Sequence, residues 1–219
     1  MKRFKRIGDA LIGGLLRAVF FLWGGVTRLL YLPRVVYTDP SVKKVMKRGA
    51  ILIANHTSHK DGFFIPQMFP LLGMRVLITR KWYDKKFLTP IFRHLGYIPI
   101  SLDEPDADWM AQAEETLKKG RCVLIFPEGK LEHDGVPEPF HSGFLLPAKH
   151  LDVPVIPMAV VGGYRVFRRQ KLIVGSPVPL ELHAPGRLSA VLKTAADRCR
   201  DEVFALRDGT QAERATEKV

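Results

Sequence analysis

The stretch that decides the fold is Ala50-Ile51-Leu52-Ile53-Ala54-Asn55-His56-Thr57-Ser58-His59-Lys60-Asp61. Five apolar residues run without a break and stop at a cluster of polar, titratable groups. A run this short, apolar on both of its faces, predicts a strand buried on both sides. Similar Val- and Ile-rich runs occur at 75–79, 122–126, 153–161 and 171–174. Helical patterns separate them at 62–72, 84–95, 106–119, 143–151 and 188–206. Asp106 and Asp108 open the third of these, and Lys118, Lys119 and Gly120 close it, as the helix dipole favours. Alternation of this kind predicts an α/β domain with a largely parallel sheet flanked by helices, spanning residues 49–207. The polar tail 208–219 is expected to fray.

In an open α/β sheet, reactive groups gather where strands end and loops begin. The first strand end carries His56 and Asp61. A carboxylate that holds one imidazole nitrogen leaves the other as a general base. Five residues on one continuous helix would turn the two side chains about 140° apart. A loop running into a helix can instead bring them together. Two other readings compete: His56 and His59 as metal ligands, and Ser58 as a nucleophile. The first lacks a third ligand nearby, and the second lacks the glycines of a nucleophile elbow. The second strand end is Phe126-Pro127-Glu128-Gly129-Lys130.

The 219 residues are 47% hydrophobic and 26% charged, the composition of a globular chain rather than a disordered one. The formal net charge is +12, which calls for a polyanionic partner. Nine of those twelve charges fall in residues 1–48, which hold Lys2, Arg3, Lys5, Arg6 and seven further bases against Asp9 and Asp39. The body is nearly neutral, and no aromatic–basic interleaving marks it as a nucleic-acid binder. Cys122 and Cys199 stand apart and in no paired motif, so reduced thiols are expected.

Residues 10–32 read ALIGGLLRAVFFLWGGVTRLLYL. Arg17 and Arg28 interrupt any simple crossing of a bilayer, and no small-residue cleavage site follows as a signal peptide would need. Eleven residues separate the two arginines, which places them on one helical stripe. The segment 1–48 is therefore expected to dock on an anionic membrane, with an in-plane apolar helix and both arginines reaching outward. The glycine pairs Gly13-Gly14 and Gly24-Gly25 allow two short helices instead of one. Packing of an amphipathic helix on its own domain is the alternative.

Asn55-His56 with Asp61 resembles the His–four residues–Asp signature of the glycerolphosphate and lysophospholipid acyltransferase family. Phe126-Pro127-Glu128-Gly129 resembles its second signature, Gly96–Ile100 occupies the place of its intermediate block, and Val153-Pro154-Val155-Ile156-Pro157 is similar to its last. The four blocks follow in order over residues 50–162. The resemblance implies that His56, oriented by Asp61, deprotonates an acceptor hydroxyl. That hydroxyl attacks a thioester on coenzyme A or acyl carrier protein, and backbone N–H groups steady the oxyanion. It implies a lysophospholipid acceptor, most often 1-acylglycerol-3-phosphate, and neither metal nor cofactor beyond the acyl-CoA or acyl-ACP co-substrate. Work on the cytoplasmic face of a membrane, as a peripheral or monotopic protein, is the expectation that follows. An inactive lipid-binding module is the alternative class, and the intact His56–Asp61 pair argues against it.

The departures fall on the acceptor side. Family members that use lysophosphatidic acid usually carry Asp-Arg where this chain has Ser101-Leu102, and Thr-Arg where it has Lys130-Leu131. The Glu-Gly-Lys variant is similar to a tafazzin-like branch that remodels lysophospholipids. Glu128 and Gly129 are expected to shape the acceptor pocket, with Lys130 offering a point charge. Lys81, His141 and Arg165 are further candidates for phosphate, solvated surface being the alternative for Arg165, Arg168 and Arg169. The apolar stretch from Phe63-Phe64-Ile65 to Leu71-Leu72 is a candidate lining for the acyl chain, with ordinary core packing the alternative. Trp82 and Tyr83 are candidates to face the membrane interface, with a packing role the alternative.

Overall fold

A computed structural model describes residues 2–102, 107–131, 138–167 and 170–216. Seven strands form one sheet: β1 (Arg34–Tyr37), β2 (Ile51–Ala54), β3 (Arg75–Thr79), β4 (Ile98–Ile100), β5 (Val123–Ile125), β6 (Val155–Val161) and β7 (Lys171–Val174). Their order is β1-β7-β6-β2-β5-β3-β4. All neighbours run parallel except β6 and β7, where Met158 pairs with Val174 and Val161 with Lys171. The strand run that opened the sequence lies at the centre: Ile51 pairs with Val123 on one side and Val155 on the other.

Period-two alternation sorts these buried strands between two cores. Ile51, Ile53, Val123 and Ile125 pack with α6 (Asp108–Lys118), α7 (Leu145–Leu151) and α8 (Leu188–Thr216). Leu52, Leu124, Ile156 and Met158 pack with α2 (Val42–Met46), α3 (Asp61–Met68) and α5 (Thr89–Leu95). Every residue of β2 is 0% exposed, so truncating Leu52 to Ala would cost about 2–5 kcal/mol. Both cysteines are buried free thiols, and burial pushes their pKa values up to about 11 at Cys122 and about 12 at Cys199.

Several bounds differ from the sequence reading. β1 and β4 were not expected. The first is a half-buried edge of four residues, and the second has Pro99 at its centre, which an edge strand tolerates because its outer N–H positions are unpaired. The pattern 62–72 breaks after Met68, where Pro70 opens a single 3-10 turn, Pro70–Leu72. Of the pattern 84–95 only Thr89–Leu95 is helical, as α5 with Pro90 in its first turn, and the short α4 (Arg80–Tyr83) before it was not expected. The helix at 106–119 begins at Asp108; Asp106 lies outside the described residues. The helix α8 runs on through Thr216, where a frayed tail was expected.

The N-terminal segment forms one helix, α1 (Lys2–Tyr31), rather than two. Phe20, Gly24, Thr27 and Tyr31 recur at helical spacing along its inner side. Gly24 lets α1 approach until a Cβ there would sit 3.4 Å from the Gln67 side chain of α3. Thr27 Oγ1 donates to Gln67 Oε1 at 2.9 Å. Arg28 does not simply reach outward: its Nη2 donates to the Gln67 carbonyl at 2.7 Å, capping the carboxy end of α3. The Arg17 side chain lies outside the described residues. On the opposite side Leu11, Leu15, Leu22 and Leu29 stand 66–73% exposed.

Candidate active site

At the end of β2 the chain must leave the sheet and still hold its place. Asn55 does this by copying a strand residue. Its Oδ1 accepts the Val160 N–H at 2.8 Å and its Nδ2 donates to the Val160 carbonyl at 3.3 Å, both fully buried. His56 therefore emerges from a fixed point between β5 and β6.

The loop 55–60 then turns into α3, whose first residue is Asp61. His56 Nδ1 lies 3.1 Å from Asp61 Oδ2. The same oxygen accepts the N–H groups of Thr57 and Ser58, each at 2.8 Å. A carboxylate facing Nδ1 requires the proton there, which gives Nε2 the lone pair of a general base. Asp61 is wholly buried while the His56 side chain is 18% exposed, so the base reaches its substrate and its partner does not.

The second signature completes the support of the first. The Phe126 ring stacks on the imidazole at 4.2 Å and 21°, fixing its plane. Glu128 is buried, and its Oε1 accepts the backbone N–H of His56 at 3.0 Å. That contact explains why the two motifs travel together across 72 residues. It also gives Glu128 a part beyond the acceptor-shaping one expected: the carboxylate holds His56 in place, and Glu128 is not itself among the cavity-lining residues. Gly129 does line the cavity; it adopts φ +68°, and a Cβ there would lie 3.1 Å from His141 Nε2.

Sequence reasoning missed Tyr164. Its hydroxyl donates to Asp61 Oδ1, the oxygen that His56 does not use. Burial first, then the charge of Asp61, raises its pKa above the ordinary tyrosine value. Phe64 stacks on its ring at 4.9 Å, and Tyr31 at the end of α1 meets it edge-on at 6.0 Å. A signal was available: β6 runs parallel to β2, so residues just past its carboxy end border the same edge of the sheet.

His56 opens onto a cavity of about 340 Å³. Phe63, Ile78, Phe92, Trp109 and Phe144 are among its apolar walls. Of the stretch expected to line it only Phe63 does, whereas Phe64 packs on Tyr164, Ile65 is core and Leu71 is 91% exposed. Trp82 lines the cavity against His59, ring centroids 4.7 Å apart, and Tyr83 stacks on Phe92, contacts that match the packing alternative for both.

Lys130 and His141 line the mouth, with Lys130 Nζ 2.9 Å from Glu138. Lys81 and Arg165 are exposed and outside the lining, so the site does not gather them. Arg168 and Arg169 lie outside the described residues. Leu102 and Leu131, at the two positions where the family pattern carries arginine, both line the cavity. The amides expected to steady an oxyanion are partly spoken for: His56 N–H on Glu128, Thr57 and Ser58 on Asp61, Gly129 on the Phe126 carbonyl. His56 and His59 have ring centroids 6.3 Å apart. Among the described residues no three His, Cys, Asp or Glu side chains are grouped to hold a metal.

A largely parallel α/β sheet thus sets a His–Asp pair, its Asp buried and its His accessible, at the head of an apolar cavity. The chain belongs to the Acyltransferase family, whose model matches residues 31–161. It is 30% identical over 138 residues to the 1-acyl-sn-glycerol-3-phosphate acyltransferase of Limnanthes douglasii, covering 61% of this chain and 48% of that one. It is 28% identical over 137 residues to the enzyme of the same name from Pseudomonas aeruginosa, covering 59% and 52%. The chain thus spans about half the length of these curated relatives. Its fold matches the crystal structure of the 1-acyl-sn-glycerophosphate (LPA) acyltransferase PlsC from Thermotoga maritima, with TM-score 0.55, 19% identity, and coverage of 94% of this chain and 98% of that one.

Proposed function

We propose that this protein transfers a fatty acyl group from a thioester, acyl-CoA or acyl-ACP, to the free hydroxyl of a lysophospholipid. The observation that carries the reading is the His56–Asp61 pair, set where the apolar cavity opens. The acyl chain lies along Phe63, Phe92 and Trp109, where burial contributes about 25 cal/mol per Å². His56 Nε2 takes the proton of the acceptor hydroxyl as it attacks the thioester carbonyl. The imidazolium formed is stabilised by Asp61, and its proton passes to the departing thiolate. No acyl-enzyme is required. Family relatives named 1-acyl-sn-glycerol-3-phosphate acyltransferases support that lysolipid as acceptor.

The helix α1 is the membrane-docking element. By length and composition Gly13–Tyr31 is apolar enough to cross a bilayer, with mean hydropathy 1.3. Its inner stripe is nevertheless covered by α3 and α5, so an in-plane position with the leucine face in lipid suits it better. The basic residues at 2–6 add attraction to anionic lipid, about 1 kcal/mol each, and the enzyme works as a peripheral or monotopic protein on the cytoplasmic face.

A second reading is a remodelling acyltransferase for another lysolipid. It is favoured by Leu102 and Leu131 in the cavity wall and by the Lys130–Glu138 ion pair, which half-neutralises the cation at the mouth. A panel of lysolipid acceptors offered with acyl-CoA and acyl-ACP, read by mass spectrometry, separates the two. Free thiol appearing only when acceptor is present supports acyl transfer; thiol release independent of acceptor contradicts it.

A further inference from the structure

A second recess, of about 490 Å³, lies at the other end of the strands. Arg75 begins β3, Arg121 stands two residues before β5, and Arg93 and His94 end α5; all four line it. His56 follows the carboxy end of β2, so the two sites sit at opposite edges of the sheet. Gly73 and Gly96, both in left-handed conformations, make room for the cations. A Cβ on Gly96 would meet Arg75 Cζ at 3.3 Å, and one on Gly73 would meet Arg121 Cδ at 3.1 Å. Among the described residues no carboxylate lines the recess. Glu115 lies within Coulombic reach of Arg75 and is itself paired with Lys119. Three guanidinium groups around one hollow favour an anion between them, and their planar forks suit phosphate oxygens.

The surroundings indicate which phosphate. Phe20 of α1 forms one wall and Phe69 another. Next to lining residue Pro70, Leu71 projects with 91% of its surface exposed, and the leucine stripe of α1 is 66–73% exposed. Leu71 and the aromatic walls place apolar surface beside the cations, and α1 carries a further exposed apolar stripe on its far side, a combination that matches a lipid headgroup above its acyl chains.

We propose that this recess binds the phosphate of an anionic phospholipid, as a site separate from the one that holds substrate at His56. It shares with the proposed function only the docking of α1 on a membrane, and none of the transfer chemistry. Tyr97 forms a wall common to both cavities, with its hydroxyl on the Gly62 carbonyl at 2.8 Å, so the occupant borders the acyl cavity without opening it.

The test is native mass spectrometry of the full chain in neutral detergent, titrated with phosphatidylglycerol or phosphatidylcholine. Arg93→Gln/Arg121→Gln is compared with Arg187→Gln/Lys193→Gln, which removes two exposed cations elsewhere. Circular dichroism melting and turnover in lipid-free detergent confirm that both variants fold. Phosphatidylglycerol should bind at least tenfold more tightly than phosphatidylcholine. That preference should vanish in the first variant and persist in the second, and millimolar inorganic phosphate should leave it in place. Equal binding of the two lipids, or a preference that survives Arg93→Gln/Arg121→Gln, overturns the site. Displacement of phosphatidylglycerol by inorganic phosphate at matched concentration overturns the lipid as its ligand.

Discussion

Tyr164 and Asp61 share a hydrogen bond that leaves the carboxylate fully engaged: the phenol holds Oδ1 while His56, Thr57 and Ser58 hold Oδ2. A carboxylate so bound cannot rotate, and the imidazole it orients inherits that rigidity. Tyr164 is thus a positioning residue, and Tyr31 links it to the end of the docking helix.

Tyr164→Phe keeps the ring stacking on Phe64 and removes only the bond to Asp61. Loss of one such bond, about 1–1.5 kcal/mol, should lower kcat roughly tenfold. Acceptor KM should stay close to that of the parent, while the melting temperature falls by a few degrees because Asp61 Oδ1 loses its buried partner. Steady-state kinetics on both proteins check this; a fall in Tm with unchanged kcat would mark a purely structural role.

Glu128→Gln retains an oxygen that can accept the His56 N–H, whereas Glu128→Ala retains none. Leaving a buried N–H unpaired costs about 1–3 kcal/mol. The alanine variant should therefore lose several degrees of Tm and most of its turnover, and the glutamine variant much less of both. Thermal melts and initial rates would show the split. Equal losses in the two would mean that the carboxylate touches substrate.

Leu131→Arg places a guanidinium where the cavity mouth now presents an apolar wall. If the acceptor phosphate lies there, KM for 1-acylglycerol-3-phosphate should drop by about tenfold or more, since a charge-assisted bond contributes about 1.5–3 kcal/mol. KM for a zwitterionic lysophospholipid should not follow it. A variant with no change for either acceptor would place the headgroup elsewhere.

Stability at high pH follows from two buried phenols. Burial raises the pKa of Tyr97, and burial and Asp61 raise that of Tyr164, above the ordinary value of 10.0. The folded state keeps protons that the unfolded chain releases. The stability they contribute is therefore fully present below pH 10 and is lost as pH climbs from there toward the raised values. Denaturant melts between pH 8 and 11 should show a decline above pH 10 that is shallower in Tyr164→Phe. A slope identical to the parent's would show that Tyr164 does not hold its proton on folding.

Much of this was legible in the sequence, and for stated reasons. The central strands announce themselves because burial on both faces leaves no polar residue in 51–54 or 123–125. The His56–Asp61 pair and the Glu128 signature are local, and a strand end followed by a titratable cluster has few other uses. What could not be read depends on three-dimensional neighbours. Tyr164 reaches Asp61 across 103 residues, and the Glu128 bond to His56 crosses 72. The edge strands β1 and β4 were too short, and in β4 too much like a turn because of Pro99. Arg28 seemed to share a stripe with Arg17, but it had a carbonyl of α3 within reach.

The central claim is that His56 is the base for acyl transfer to a lipid hydroxyl. The direct measurement is thiol release from acyl-CoA or acyl-ACP with a lysophospholipid acceptor, by the parent and by His56→Ala at matched melting temperature. Release should depend on acceptor in the parent and fall by about 10²–10⁴-fold in the variant. Undiminished release by His56→Ala would contradict it.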